Sequence, residues 1–351
     1  MKKLLFPLIL ISIMIINSCK TDFEVDSDWK DITVVYGLLN PYADTQYVKI
    51  NKCFLGDASA YDMAAVSDSI QYANLSARII SGIIKSDGSF SETGTEIILE
   101  KTTDHYKYPG IFATDNNVLY RTTSVLDLSK DYKIDISIPG KDVISAKTHL
   151  VNMSSIANQG SFGSLNLVEN SSSDIEFHSV PDGKVYEVVI RFNYVEITQD
   201  STYNKYIEWP QNPIISKAIT GGEELKIVLS GNSFLSTVSN QIKNAADYNP
   251  DVIKRVAKLR PIELLIFVGS DDLNTYIEVS SPSDGIAQEK PSYSNIANGI
   301  GLFSARSDIF VPNSKIKLSD KSFDSLADSE NTSDLKFLDK NETDGYWSMN
   351  P

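Results

Sequence analysis

Residues 132–138 read Tyr132-Lys133-Ile134-Asp135-Ile136-Ser137-Ile138 (YKIDISI). Tyr132, Ile134, Ile136 and Ile138 occupy every second position, and Lys133, Asp135 and Ser137 fill the gaps. A strand turns successive side chains to opposite faces, so this is the pattern of a half-buried antiparallel strand. Pro139-Gly140-Lys141-Asp142 follows as a tight turn into a partner strand over Val143–His149. The same period of two recurs upstream. Asp31–Leu39 (DITVVYGLL) and Gln46–Phe54 (QYVKINKCF) are β-branched and aromatic runs separated by the loop signal Asn40-Pro41-Tyr42-Ala43-Asp44. Ala77–Lys85 (ARIISGIIK) leads through Ser86-Asp87-Gly88-Ser89, hairpin chemistry, to Thr95–Lys101. Short strands broken by turns every 8–12 residues or so predict a β-sandwich over residues 31–151.

The polar, weakly periodic stretch 152–173 interrupts that pattern and reads as an interdomain linker. Beyond it, Asp174–Ser179 and Lys184–Ile197 (KVYEVVIRFNYVEI) are strands joined by Pro181-Asp182-Gly183, again of hairpin type. Helical spacing appears once: Phe234, Val238 and Ile242 recur at i, i+4, i+8 behind Ser233, a candidate N-cap for a helix over Phe234–Ala246. Asp251–Leu259 (DVIKRVAKL) reads as a second short helix ended by Pro261, after which Ile262–Gly269 and Tyr276–Val279 return to strand. The prediction is a mainly β chain: a first sandwich, then a second β-rich, sandwich-like domain over 174–330 with helices near 234–259. A polar tail closes it over 331–351.

The amino terminus gives an address. Met1-Lys2-Lys3, an apolar run from Leu4 to Ile16 and then Asn17-Ser18-Cys19 form a basic, apolar and small-residue series that reads as a signal peptide over 1–18. The run is some 13 residues long and broken by Pro7 and Ser12, short of the ~20 that span a bilayer. With Cys19 at the cut, the segment resembles a bacterial lipobox, which implies cleavage before Cys19 and acylation of its thiol and new amino group. Several acyl chains, at about 0.8 kcal/mol per buried CH2, make a lasting tether. Residues 19–30 then form an acidic linker. Its opening CKTDFE resembles the acid-rich export tag of Bacteroidota surface lipoproteins. That implies display on the outer face of the outer membrane, the alternative being a periplasm-facing anchor.

The chain has 32 Lys+Arg against 46 Asp+Glu, a net −14; loss of Lys2 and Lys3 with residues 1–18 leaves 30 against 46, or −16. That field disfavours nucleic acid and anionic headgroups as partners. With Cys19 acylated, Cys53 has no disulfide partner, and its place in a strand-like run reads as a small buried hydrophobe.

Near the C-terminus, Pro291-Ser292-Tyr293-Ser294-Asn295-Ile296-Ala297-Asn298-Gly299-Ile300-Gly301-Leu302-Phe303-Ser304-Ala305 has the form P…xNIxxGxGxFxA. With DWKDITVVYGLLNP and YKIDISIPGKDVISAKTHLV it resembles an uncharacterised Bacteroidota outer-membrane lipoprotein family, a domain of unknown function, over most of 29–310. The resemblance implies an immunoglobulin-like first domain, a second β-rich domain, and encoding beside TonB-dependent transporters. That suggests an accessory role at the cell surface, by association. The residues themselves explain the motif as structure: Gly299 and Gly301 permit positive φ or close backbone approach, and Asn295 caps the turn.

Enzyme signatures are thin. His105, His149 and His178 are isolated, no HExxH or GxSxG is present, and no cofactor motif appears. Asp271-Asp272 is the obvious carboxylate pair, but on a strand the two face apart, so it reads as a loop or, with Asn274, a loose calcium site without the EF-hand glycine. Asp104–Pro109 (DHYKYP) reads as a connecting loop. The leading binding candidates are Tyr203, Tyr206 and Trp209 in YNKYIEWP, aromatics that grip glycan or protein ligands at low entropic cost. The functional expectation is a non-catalytic ligand-binding or accessory lipoprotein of an outer-membrane uptake system. An extracellular polymer hydrolase with a dispersed carboxylate site, or a purely structural envelope protein, are the alternatives.

Overall fold

A computed structural model describes residues 32–53, 60–114, 117–281 and 292–350. The segments expected to be a signal peptide (1–18) and an acidic linker (19–30), with Cys19, lie outside the described residues, and among those described no helix is long and apolar enough to cross a membrane. Among the described residues strand outnumbers helix, 42% against 20%, a mainly β fold, as the period of two requires.

The first half comprises β1 (Ile32–Leu39), β2 (Gln46–Cys53), α1 (Ala60–Ala64), α2 (Ser67–Ile70), β3 (Ser76–Ile84), β4 (Phe90–Ile98), β5 (Glu100–Thr102), β6 (Leu119–Thr122), β7 (Asp131–Ser137) and β8 (Ile144–Thr148). YKIDISI is β7, the inner strand of an antiparallel sheet ordered β4-β3-β7-β8. Tyr132, Ile134, Ile136 and Ile138 are buried as the alternation demands. Asp135 is buried against it, held by the Lys133 ammonium at 2.9 Å and the Arg78 guanidinium at 3.5 Å. The SDGS segment closes the β3–β4 hairpin, with the Asp87 carboxylate accepting from the Ser89 N–H at 2.8 Å.

The second half comprises α3 (Ser154–Ala157), β9 (Ser164–Leu165), β10 (Ser172–His178), β11 (Val185–Ile197), β12 (Thr202–Pro210), β13 (Ile214–Ile215), β14 (Glu224–Ser230), α4 (Gly231–Lys243), β15 (Lys254–Gly269), α5 (Asp271–Ser280), β16 (Ile300–Val311), β17 (Lys317–Leu318), α6 (Asp320–Asp328) and α7 (Lys340–Met349). One sheet joins the halves. Its order is β12-β11-β15-β16-β1-β2-β6-β5, with β13 also on β11, and β1 and β16 pair in parallel from Val34↔Ile300 to Leu39↔Ala305. The residues read as linker, 152–173, send Met153, Ile156, Phe162, Leu165 and Leu167 into the same continuous core as Val35, Val48, Ile134 and Phe192. Each such side chain contributes about 1.5–3 kcal/mol on burial.

Several local expectations are corrected. DVIKRVAKL is not a helix: β15 starts within it and pairs Arg255 with Glu196 on β11. Pro261 is not its terminator either. It falls where the β11–β15 register shifts, a bulge in which a missing N–H costs little. The strand wins because Arg255 is buried against the Glu196 carboxylate at 2.8 Å and donates to the Leu335 carbonyl at 2.7 Å. Conversely, Tyr276–Val279 lies in helix α5, with Asp271 and Asp272 in its first turn, where a carboxylate meets the positive helix end. The α4 stripe is as expected, but Ser230 rather than Ser233 is its N-cap and accepts the Ser233 N–H. Strands β10 and β11 do not form a hairpin across Pro181-Asp182-Gly183, since β10 pairs with β14. Residues 331–351, expected as a polar tail, bury Leu335 and Phe337 and anchor α7 by the Trp347 indole N–H to the Ala257 carbonyl at 2.9 Å.

The C-terminal motif forms the seam between β1 and β16. Gly301 has φ +119°, and a Cβ there would stand 2.0 Å from the Val35 carbonyl oxygen. At Gly299 it would stand 2.8 Å from that of Thr33. Only glycine lets two backbones approach so closely. Asn295 bonds the Phe303 backbone at both ends, accepting its N–H at 3.0 Å and donating to its carbonyl at 2.8 Å.

Candidate functional site

Strand β1 is apolar on both faces. Val35 and Leu39 point into the core, whereas Val34, Tyr36 and Leu38 point the other way, Tyr36 and Leu38 being exposed. Such a strand needs cover on its second face. Part of that cover comes from α5, whose Tyr276 hydroxyl donates to the Tyr36 hydroxyl at 3.2 Å with the rings edge to face. On the far side, α1, α2 and residues 103–114 after β5 stand off the sheet and leave a groove of about 610 Å³. Its floor is Val34 and Tyr36 of β1 with Lys49 and Asn51 of β2. Its walls are Tyr61, Ala64 and Ile70 on one side and Lys107, Ile111 and Phe112 on the other.

The polar groups of the groove are few and perturbed. The Lys49 ammonium donates to the Asn117 side-chain oxygen at 2.9 Å and the Val118 carbonyl at 2.8 Å. Burial, then the neighbouring Lys107, lowers its pKa to about 8. Burial, then the bonded Tyr276 hydroxyl, pushes the Tyr36 phenol up to about 12. Asn51 Oδ1 is buried without a hydrogen-bond partner among the described residues. Lys107 donates to the Ala113 carbonyl at 3.0 Å, with its ammonium 5.3 Å from the Phe112 ring centre. Cys53 corrects its expectation of burial: it ends β2 exposed, at the groove margin, because it shares the outer pleat face with Lys49 and Asn51. A site of this size, mostly apolar with a few fixed polar groups, has the build of a small-molecule binding site.

The residues singled out in the sequence sit elsewhere. Tyr203, Tyr206 and Trp209 all lie on β12, the edge of the long sheet, but the pleat divides them. Tyr206 is 59% exposed, under the Arg191 guanidinium at 4.6 Å, and Arg191 also pairs with Glu208 at 2.7 Å. Trp209 turns inward and packs on Phe234 of α4, ring centres 5.9 Å apart. The three do not form one platform. The cavity beside them is about 230 Å³, and its Lys205 and Asp247 are paired with each other.

The other candidates also separate. Asp272 accepts from the Tyr293 hydroxyl and, at 3.0 Å, from the Asn295 amide, while the Asn274 amide turns to Glu278 at 2.9 Å. These bonds tie α5 to the β16 motif. Among the described residues no group of three or more His, Cys, Asp or Glu could hold a metal ion. His105 packs edge-on to Tyr47, His149 bonds Asp131 at 2.8 Å, and His178 ends β10.

Local sequence did not point to the groove, because its parts come from four separated segments. One signal was present: ITVVYGLL lacks a polar face. The chain matches no family model, and no curated protein is similar to it.

Proposed function

We propose that this chain is a lipid-anchored, non-catalytic binding protein of the cell envelope whose ligand lies in the groove on the outer face of β1 and β2. The observation that carries the reading is the groove itself, with aromatic and aliphatic walls and a partly desolvated amine on its floor. Anchoring through Cys19 and display at the cell surface rest on the lipobox-like and export-tag-like segments. Service to a TonB-dependent outer-membrane transporter rests on the family resemblance. In that role the protein presents a ligand to a membrane partner and leaves it chemically unchanged. Tyr203 and Tyr206 on the exposed β12 edge are available to a glycan or protein partner of the same assembly.

The test is extraction of the acylated full chain from membranes with its surrounding lipid, followed by mass spectrometry of what accompanies it. The expected result is a co-purifying outer-membrane transporter and a small molecule that is lost from an Ile111→Ser/Phe112→Ala variant. Recovery of neither, or of a small molecule unaffected by that variant, would sink the proposal. A Cys19→Ser chain that still incorporates labelled fatty acid would remove the anchor from it.

A further inference from the structure

The walls and the charges of the groove select a chemistry. Tyr61, Ile111 and Phe112 present apolar surface to solvent at 69%, 56% and 54% exposure, large values for side chains of their kind. Three lysines, Lys49, Lys52 and Lys107, border the same space, and no carboxylate lines it among the described residues. That concentration runs against the composition of a chain with 46 acidic and 32 basic residues. Lys52 and Lys107 have their ammonium groups over the rings of Tyr72 and Phe112, at the rim. Lys49 is the inward one.

The Lys49 ammonium has three hydrogens, and two go to Asn117 and the Val118 carbonyl. Those two acceptors are neutral, so nothing among its bonded partners offsets the charge. Asn51, on the same strand face, carries the partnerless buried atom. An anion in the groove takes the third Lys49 hydrogen and supplies the missing counter-charge, while the Asn51 oxygen stays open to a donor such as water.

We infer that the groove takes a small amphipathic carboxylate, its apolar body laid against Tyr61, Ile111 and Phe112 and its carboxylate at the Lys49 ammonium. The inference rests on the reading of the groove as the ligand site and adds the ligand's class. A volume of about 610 Å³ falls within the range of roughly 300–1,000 Å³ usual for sites that enclose small ligands. One inward amine matches one negative charge. The low pKa of Lys49 fits the same account, since a bound carboxylate supplies the counter-charge that the free groove lacks.

The test uses the acylated full chain in phosphatidylcholine nanodiscs, with empty nanodiscs as the reference, titrated with octanoate, octanol and octylamine. A charge-assisted hydrogen bond predicts octanoate binding roughly tenfold tighter than either of the others. Lys49→Met is expected to remove that preference and leave octanol unchanged, while Lys49→Arg keeps it. Where Lys49→Met lacks the wild-type circular dichroism, Lys49→Gln, which keeps a donor toward Asn117, takes its place. Equal affinity for octanoate and octanol, or a preference that survives loss of the amine, overturns the carboxylate while leaving the groove a binding site. Failure of all three probes to bind, or binding insensitive to Ile111→Ser/Phe112→Ala, overturns the groove reading itself.

Discussion

The edge strand β12 and the outer face of β1 both carry aromatic side chains, yet the space beside them is about 230 Å³ at β12 and about 610 Å³ at β1. On β12 the aromatics are neighbours in sequence, and for that reason the pleat sends Tyr206 to one face and Trp209 to the other. Around β1 they come from separate segments, with Tyr36 on the sheet, Tyr61 on a short helix and Phe112 on a loop, so they converge on one space. Charge follows the same division. At β12 each cation has its carboxylate, Arg191 with Glu208 and Lys205 with Asp247. At the groove, Lys49 bonds only neutral acceptors among the described residues. Density of aromatics along a chain thus measures edge decoration, and convergence across elements measures a site.

The largest expected effect comes from the buried pair that supports the β12 side. Glu196→Gln leaves Arg255 charged and buried, and urea unfolding should show a loss of about 3–5 kcal/mol. Because one core runs through both halves, the groove should lose its ligand together with the unfolding of β12, in a single transition. Two separated transitions would break the comparison by making the two regions independent.

Gly301→Ala comes next. It strains a backbone at φ +119° and drives a Cβ against Val35, for a cost on the order of 2–3 kcal/mol. Since Val34 and Tyr36 flank Val35, ligand affinity at the groove should fall even at low urea, whereas the β12 edge keeps its Tyr206 fluorescence environment.

The Lys49 amine offers a pH test. With a folded pKa near 8 against 10.5 unfolded, charging it costs stability that is fully present below pH 8 and vanishes as pH rises toward 10.5. The stability of the wild type relative to Lys49→Met should therefore climb through that window, by on the order of 1–2 kcal/mol after discounting for solvent in the groove. At pH 8, Lys49 should also acylate ahead of the exposed lysines, as read by peptide mass spectrometry, and octanoate should protect it. Tyr206→Ala completes the series: a change of under about 1 kcal/mol, from a lost cation–π contact at an exposed site, and no change in ligand affinity.

Strand alternation in YKIDISI was readable because both its neighbours are strands of the same sheet, so one face had to be apolar. The glycines of the closing motif were readable for a different reason: no other residue tolerates those backbone positions. DVIKRVAKL misled because Val252 and Val256 satisfy a helical spacing and a strand spacing alike, and only the distant Glu196 and Leu335 decide between them. Residues 152–173 and 331–350 looked dispensable because their apolar residues are sparse, though Met153, Ile156, Phe162, Leu165, Leu167, Leu335 and Phe337 land in the core. The groove was illegible for the same physical reason. The character of Lys49 depends on Asn117 and Val118, and no periodicity connects residues so far apart.

The parallel seam between β1 and β16 also governs how the chain can fold. Val34 meets Ile300, and the segment before β16 bonds the β8 edge through Ser145 and Ala297. The first strand therefore completes its sheet only when nearly the last of the chain has arrived. Contacts of such long sequence separation slow folding and leave strand edges open in the meantime. A chain delivered amino end first holds β1 with its inner edge unpaired until residues 300–305 emerge, and over that interval it depends on whatever shields such edges from aggregation.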